Sequence, residues 1–241
     1  MIDIHCHLLN NVDDGAKTLE ETLEGLKLAQ KSGFTDIILT PHYIDDYYNN
    51  DKNLIEKKIE ELKKEIVKNN ILINIHQGNE IYFCDDLAKL LNMNNAPSTL
   101  AGSRYVLFEL PFNNKLFSLT DEITKLKKSG YIPILAHPER YSFVQENPEC
   151  LKELVELGVL IQSNFGSIIG QYGKTAKKTL KILLKNNMVH FLASDTHSKG
   201  YIYENISHIL KKINKIINKE QINQLTIENP ECIIQNKEIQ I

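Results

Sequence analysis

Six short motifs in this 241-residue chain place imidazole and carboxylate groups where they could share metal ions. They are His5-Cys6-His7 with Asp13-Asp14-Gly15 close behind, Thr40-Pro41-His42, Gly78-Asn79-Glu80, Phe108-Glu109-Leu110, Ala136-His137-Pro138-Glu139-Arg140 and Ser194-Asp195-Thr196-His197. Each alone has an ordinary reading as a core histidine, a turn residue or a cap. Together they are harder to dismiss, because five of the eight histidines would have to fall beside carboxylates by chance. Nitrogen and oxygen donors without thiolates suit Mn, Fe or Zn in an open catalytic site better than a closed structural zinc. The candidate ligands are His5, His7, Asp14, His42, Glu80, Glu109, His137, Asp195 and His197, too many for one ion. Two or three ions sharing a carboxylate would use them all. Clustered divalent ions suit hydrolysis of phosphate esters, since they bind phosphoryl oxygens and lower the pKa of a coordinated water toward neutrality. A bend where the first strand ends is expected to bring both His5 and His7 to one ion, with Cys6 turned away. Glu109 ends an apolar run and would be costly to bury without a cation. Arg140 offers a planar fork for phosphate oxygens, the alternative being an ion pair with Glu139 or a surface carboxylate.

Such motifs need a scaffold that aims them at one place. Apolar periodicity predicts strands over 2–5, 36–40, 71–77, 105–110, 132–136, 159–162 and 189–193. Helices are predicted between them, over 18–32, 53–69, 85–91, 119–129, 148–157 and 174–186, with two more over 204–218 and 219–225. Gly33 stands where a helix C′ glycine belongs. Strict alternation implies parallel strands joined by right-handed crossovers. Seven repeats with no Gly-rich loop after the first strand favour a closed barrel over an open sheet, in one domain spanning 1–241. Barrels carry their chemistry on the loops after strand C-terminal ends. Six of the seven predicted strands end in a candidate ligand. His76, His190 and His208 fall elsewhere and are expected to be structural or solvent-facing.

Composition excludes several other functions. A net charge of -3 with only two arginines, Arg104 and Arg140, argues against sequence-independent nucleic-acid binding. No run of about 18 apolar residues and no basic leader is present, so membrane insertion and secretion are not expected, and the cytoplasm is the expected location. Cys6, Cys84, Cys150 and Cys232 are scattered as reduced thiols would be. None has an arginine six positions on, which cysteine-dependent tyrosine phosphatases need. No GxSxG or Walker A loop occurs. A phosphatase built on this chain must therefore be metal-based.

The segments MIDIHCHLLNNVDDGAKTLEET, TPHY, GNEIYF, YVLFELPF, IPILAHPERY, QSNFGSIIGQYGKTAKK and ASDTH resemble those of bacterial metal-dependent tyrosine-protein phosphatases. These form the capsular and exopolysaccharide group of the PHP (polymerase and histidinol phosphatase) superfamily. The resemblance runs from Met1 to about His197 in the family's motif order. It implies a distorted (β/α)7 barrel with a trinuclear centre, usually described with Mn2+, Fe, Zn or Mg being alternatives. By this resemblance His5, His7, Glu80 and Asp195 would hold one ion. Glu80 would bridge to a second ion held with Glu109 and His137, and Asp14, His42 and His197 would hold the third. Arg140 would bind the substrate phosphate, and a hydroxide bridging the metals would attack phosphorus without a phosphoenzyme. The implied partner is a phosphotyrosine-bearing protein, the tail of a tyrosine autokinase. The alternatives are a phosphatase for a small metabolite such as histidinol phosphate and a silent kinase-tail binding module; the oligomeric state stays open. Two departures stand out. Ala16 replaces an expected proline, and the loop after Asp195-Thr196-His197 lacks a second arginine, leaving Lys199 as a point charge for substrate binding.

Overall fold

The computed structural model describes residues 1–113, 118–197 and 200–239. Its strands are β1 (Ile2–Cys6), β2 (Asp36–Leu39), β3 (His42–Tyr43), β4 (Asn74–Gln77), β5 (Glu80–Tyr82), β6 (Tyr105–Glu109), β7 (Ile132–Ala136), β8 (Leu160–Asn164) and β9 (Phe191–Ala193). Every pairing between them is parallel. The sheets run β1-β2-β4 and β3-β5-β6-β7-β8-β9. β3 continues the line of β2 beyond Pro41, and β5 continues β4 beyond Gly78-Asn79. Counted this way the strands form seven staves of a distorted barrel, the alternation read from the sequence. Pro41 lacks an N–H, and Asn79 fills the broken ladder by donating to Pro41 O at 2.9 Å and accepting from Ser98 N at 2.7 Å.

Helices cover the barrel's outside. α1 (Leu19–Lys31) is capped by Thr18, and α2 (Lys52–Lys68) buries Ile55, Ile59, Leu62 and Ile66 along one stripe. Gly33 follows α1 with φ +86°, as a C′ glycine should. α3 (Leu87–Leu90) and α4 (Leu119–Lys128) fall within predicted spans, and α7 (Gly173–Lys185) is offset from its own by one residue. The helix expected over 148–157 begins as a 3₁₀ turn, and a short helix that was not expected precedes it. α5 (Ser142–Glu146) is followed by a 3₁₀ turn at Pro148–Cys150 and then α6 (Leu151–Glu156), because Pro148 cannot continue the hydrogen-bond ladder of α5. α8 (Tyr201–Ile213) starts earlier than read, and α9 (Lys219–Asn223) runs through one π turn into α10 (Asn229–Ile234). No described helix is long and apolar enough to cross a membrane.

Alternation along the strands sorts side chains into two cores. Ile2, Ile4, Ile38, Tyr105, Leu107, Ile134, Leu160, Phe191 and Ala193 fill the barrel. Their neighbours Ile37, Leu39, Val106, Phe108, Leu135, Ile161 and Leu192 pack outward against the helices. Continuing the inward parity brings Glu109, Gln162 and Asn164 to the rim. The barrel closes between β1 and β9, where Cys6 bridges Thr196, His7 N donates to Thr196 O at 2.9 Å and Asp195 N donates to His5 O at 2.8 Å. Buried Asp3 fastens this seam. Its carboxylate accepts from Ser194 N at 3.0 Å, from His5 N at 3.3 Å and from the Tyr203 hydroxyl of α8 at 2.7 Å.

Two outcomes are expected. Asp3→Ala leaves these donors without partners and lowers the unfolding free energy by about 2–4 kcal/mol, measured by urea titration. His190, whose Nδ1 accepts from Ile161 N at 3.0 Å, is held by burial at a pKa of about 4. Above pH 6.5 it is neutral both folded and unfolded. Between pH 6.5 and 4 only the unfolded chain takes the proton, so stability falls through that window. Replacing His190 by Gln should flatten that part of the pH–stability curve.

Candidate metal centre

All nine predicted ligands reach the C-terminal rim of the barrel. His5 and His7 need no sharp bend to act together, because alternate residues of a strand share a face. What turns that face inward is a register shift in β1 between Asp3 and Cys6. It lets His5 follow Ile4 into the barrel and sends Cys6 outward, its Sγ 3.7 Å from Ile38 O. His137 would point outward by parity, but a left-handed backbone (φ 34°) redirects it. Asp195 has φ 48° at the end of the last stave. Such conformations cost an ordinary residue on the order of 1–3 kcal/mol and mark functional positions. Gly15 is required by space, since a Cβ there would lie 2.0 Å from His7 O. Ala16 contributes what a proline could not, an N–H to His7 O at 3.0 Å.

At the centre, His5 Nε2 and His7 Nε2 lie 3.1 Å apart. Each is 3.3 Å from Glu80 Oε2 and 3.6 Å from Asp195 Oδ1. These are the spacings donors take around an ion bound at about 2.1 Å. His137 Nε2 is 2.8 Å from Glu80 Oε1 and 3.9 Å from Glu109 Oε2. His42 places Nδ1 3.1 Å from Glu80 Oε2 and 3.2 Å from Glu109 Oε1, while its Nε2 is 3.6 Å from Asp14. His197 Nε2 lies 3.4 Å from the same Asp14 oxygen, its ring stacked 4.0 Å from that of His7. His42 thus stands between the second and third ligand groups, a position that spacing could not show.

The hydrogen bonds show what this cluster is built for. His5 Nδ1 faces Gln162 Oε1 at 2.9 Å, and His7 Nδ1 faces Asp13 Oδ2 at 2.7 Å. Both acceptors call for an N–H on Nδ1, which leaves the facing Nε2 atoms as lone-pair donors. Glu80 Oε2, Asp195 Oδ1 and His42 Nδ1, which face the cluster, are buried and make no hydrogen bond. Inward lone pairs and unbonded carboxylate oxygens fit divalent cations, and nothing else in the cluster would satisfy them. Burial opposes charge on His5, yet Glu80 and Asp195 raise its pKa to about 9. His7 is also raised, and the 3.1 Å gap has room for one proton between the two nitrogens. Histidines hold Glu80 and Asp195 well below the usual carboxylate range despite burial, and His197 brings Asp14 down to about 2.

Positioning residues outside the predicted set complete the site. Asp13 also accepts from His42 N at 3.0 Å and Gly15 N at 2.9 Å. Gln162 donates to Asn164 at 2.9 Å, and Asn164 in turn donates to Asp195 Oδ2. Tyr141 OH donates to Ala136 O at 2.8 Å and accepts from Leu110 N at 3.0 Å, tying the ends of β6 and β7. The Gln-Ser-Asn run at the end of β8, polar where a buried strand meets the rim, was the available signal for Gln162 and Asn164. Arg140 pairs with Asp195 Oδ2 at 2.9 Å, not with Glu139. Its guanidinium lies between Phe112, 4.6 Å from the ring centroid, and Tyr172, at 4.4 Å. Glu139 instead turns inward to Asn164 N at 2.8 Å and Ser167 Oγ at 2.7 Å. Lys199 lies outside the described residues. His76 pairs with Asp36 at 3.1 Å, away from the rim, as expected of it.

Fold and site together define a parallel α/β barrel carrying a candidate metal centre on its C-terminal rim. The family profile for capsular polysaccharide synthesis, CpsB/CapC, matches residues 1–235. The tyrosine-protein phosphatase YwqE of Bacillus subtilis is 34% identical, covering 99% of this chain and 93% of its own. The tyrosine-protein phosphatase CpsB of Streptococcus agalactiae is 31% identical, covering 98% of this chain and 99% of its own. A solved structure from work on YwqE and the CpsB of Streptococcus pneumoniae, described there as unique metal-dependent tyrosine phosphatases, superposes with a TM-score of 0.93. It is 32% identical and covers 100% of this chain and 96% of the other. The chain belongs to the CpsB/CapC family.

Because an ion must displace the proton held by the His5–His7 pair, the stabilisation given by added Mn2+ should grow as pH rises from 6.5 to 9. In metal-free protein the raised His5 pKa stabilises the fold below pH 6.5, and that contribution is lost as pH climbs through 9. Thermal melts with Mn2+ and with EDTA across this range read both effects. Asp13→Ala should weaken Mn2+ binding by about 10- to 100-fold in calorimetric titration.

Proposed function

We propose that residues 1–241 form a single PHP-type metallophosphatase domain that hydrolyses phosphotyrosine on proteins. Mn2+ is its metal and the tail of a tyrosine autokinase in a capsule or exopolysaccharide system its partner. The observation that carries the reading is the cluster of inward, hydrogen-bond-free donors with Arg140 at its edge, in a chain aligned over nearly its full length with tyrosine-protein phosphatases. Free thiols at Cys6, Cys84 and Cys232 support a reducing, cytoplasmic setting.

By this reading His5, His7, Glu80 and Asp195 hold one ion, Glu80 with Glu109 and His137 a second, and Asp14, His42 and His197 a third. Divalent ions in such a donor set neutralise phosphate charge and supply hydroxide near neutral pH. The chain's own groups orient the substrate. Asp195 keeps Oδ1 toward the cluster while Oδ2 fixes Arg140, so the residue coordinating the ions also aims the phosphate clamp. Arg140, stacked between two rings, presents its remaining N–H groups with little conformational freedom to lose. Tyrosinate, with a pKa near 10, leaves without a protein acid at its oxygen. Cys6 is no nucleophile: burial raises its thiol pKa well above the usual value and its sulfur faces outward.

Hydrolysis of a phosphotyrosine peptide with added Mn2+, compared with histidinol phosphate, tests the substrate; preference for histidinol phosphate would overturn it. Arg140→Ala should raise KM by about 10- to 100-fold with metal content unchanged, as loss of charge-assisted hydrogen bonds implies. Asp195→Asn should lose both metal and activity.

A further inference from the structure

The rings at the mouth of the cluster have surface left over for a substrate. Phe112 lies nearly parallel to His137 (24°, centroids 5.9 Å apart) and against the Arg140 guanidinium, yet stays 39% exposed. Beside His42, Tyr48 lies parallel to that ring (9°, 6.1 Å) and is only partly buried. Two aromatic faces thus cover outer ligands of the cluster while keeping surface open to solvent. Tyr172 differs, because its ring is committed to Arg140 and its hydroxyl to Asp195 at 3.2 Å.

We propose that Phe112 and Tyr48 are specificity residues that receive the substrate's aromatic ring, so that the site selects aryl over alkyl phosphate monoesters. This rests on the phosphatase reading above. A phosphoryl group bound at Arg140 and the cluster directs its ester oxygen outward, and the group attached to that oxygen then meets these rings. A flat aryl group gains offset or edge-to-face contact there, which an alkyl chain cannot match. Arg140 and the cluster hold the phosphate of any ester, and ring contact is what distinguishes a phosphotyrosine side chain from an alkyl ester.

The test measures kcat and KM for phenyl phosphate and for a phosphotyrosine peptide, the inhibition constant of inorganic phosphate, and bound Mn2+. Wild type, Phe112→Ala, Phe112→Tyr and Tyr48→Ala are compared as the Mn2+-loaded full chain. Inorganic phosphate has no ring and so reports Arg140 and the cluster alone. We expect Phe112→Ala and Tyr48→Ala each to raise KM for the aryl esters by about 5- to 10-fold, the range of one lost aromatic contact. Phosphate inhibition and metal content should stay within about twofold in Tyr48→Ala; in Phe112→Ala, whose ring also holds Arg140, KM for the aryl esters should rise more than the phosphate inhibition constant, and Phe112→Tyr should restore KM. A parallel rise in the phosphate inhibition constant would show Phe112 merely positioning Arg140 and would overturn the inference. Unchanged KM in both alanine variants would overturn it too, leaving the phosphatase reading intact. A wild-type enzyme with no turnover of either aryl ester would sink both.

Discussion

Glu80, Glu109, Asp195 and, at the edge, Asp14 face one another across the barrel mouth, with Arg140 as the single guanidinium beside them. Carboxylates gathered in a water-poor site repel, and each buried oxygen without a partner costs free energy. The rest of the structure answers this constraint. Five imidazoles are interleaved with the carboxylates, outer acceptors fix two of them with lone pairs inward, and the remaining deficit calls for divalent cations. Protons drawn onto the His5–His7 pair are a partial substitute, so a cation entering there would compete with protonation.

A barrel suits this arrangement because its inner faces already converge. Strand parity alone delivers Glu109, Gln162 and Asn164 to the rim. Where parity would fail, the chain departs from regular geometry: a register shift in β1 admits His5 and His7, and a left-handed residue turns His137 inward. Asp3 then clamps β1 to the end of β9 and to α8, holding the seam on which the two histidines and Asp195 are mounted. Stability of the seam and geometry of the site are therefore one property.

Much of this was legible in the sequence because few residue types can serve as ligands and strand ends are marked by loss of apolar alternation. The seven staves could be read because their apolar runs are short and the helices between them amphipathic. Less could be read where a single atom decides. Asp13 and Asp14 are adjacent and identical in type, yet one orients His7 and His42 while the other faces the open edge of the cluster. Sequence left open an ion pair of Arg140 with Glu139, which the turn after His137 sends to the opposite side, toward Ser167. Beyond the breaks at Pro41 and Gly78-Asn79 two staves resume as β3 and β5, outside the predicted spans, because proline and side-chain hydrogen bonds compete with the ladder there. The C-terminal π turn and α10 carried no clear periodic signal. Phe112 and Tyr172 drew no attention, since stacking on a guanidinium leaves no mark in spacing.

The central claim is that the inward donors exist to hold two or three divalent ions. Anomalous diffraction at the manganese edge from Mn2+-loaded crystals tests it most directly. Two or three peaks within the cluster are predicted, one among His5, His7, Glu80 and Asp195, with Gln162 and Asp13 keeping their bonds to the outer imidazole nitrogens. A fully loaded protein with no peak there, or with ions bound only elsewhere, would contradict the account.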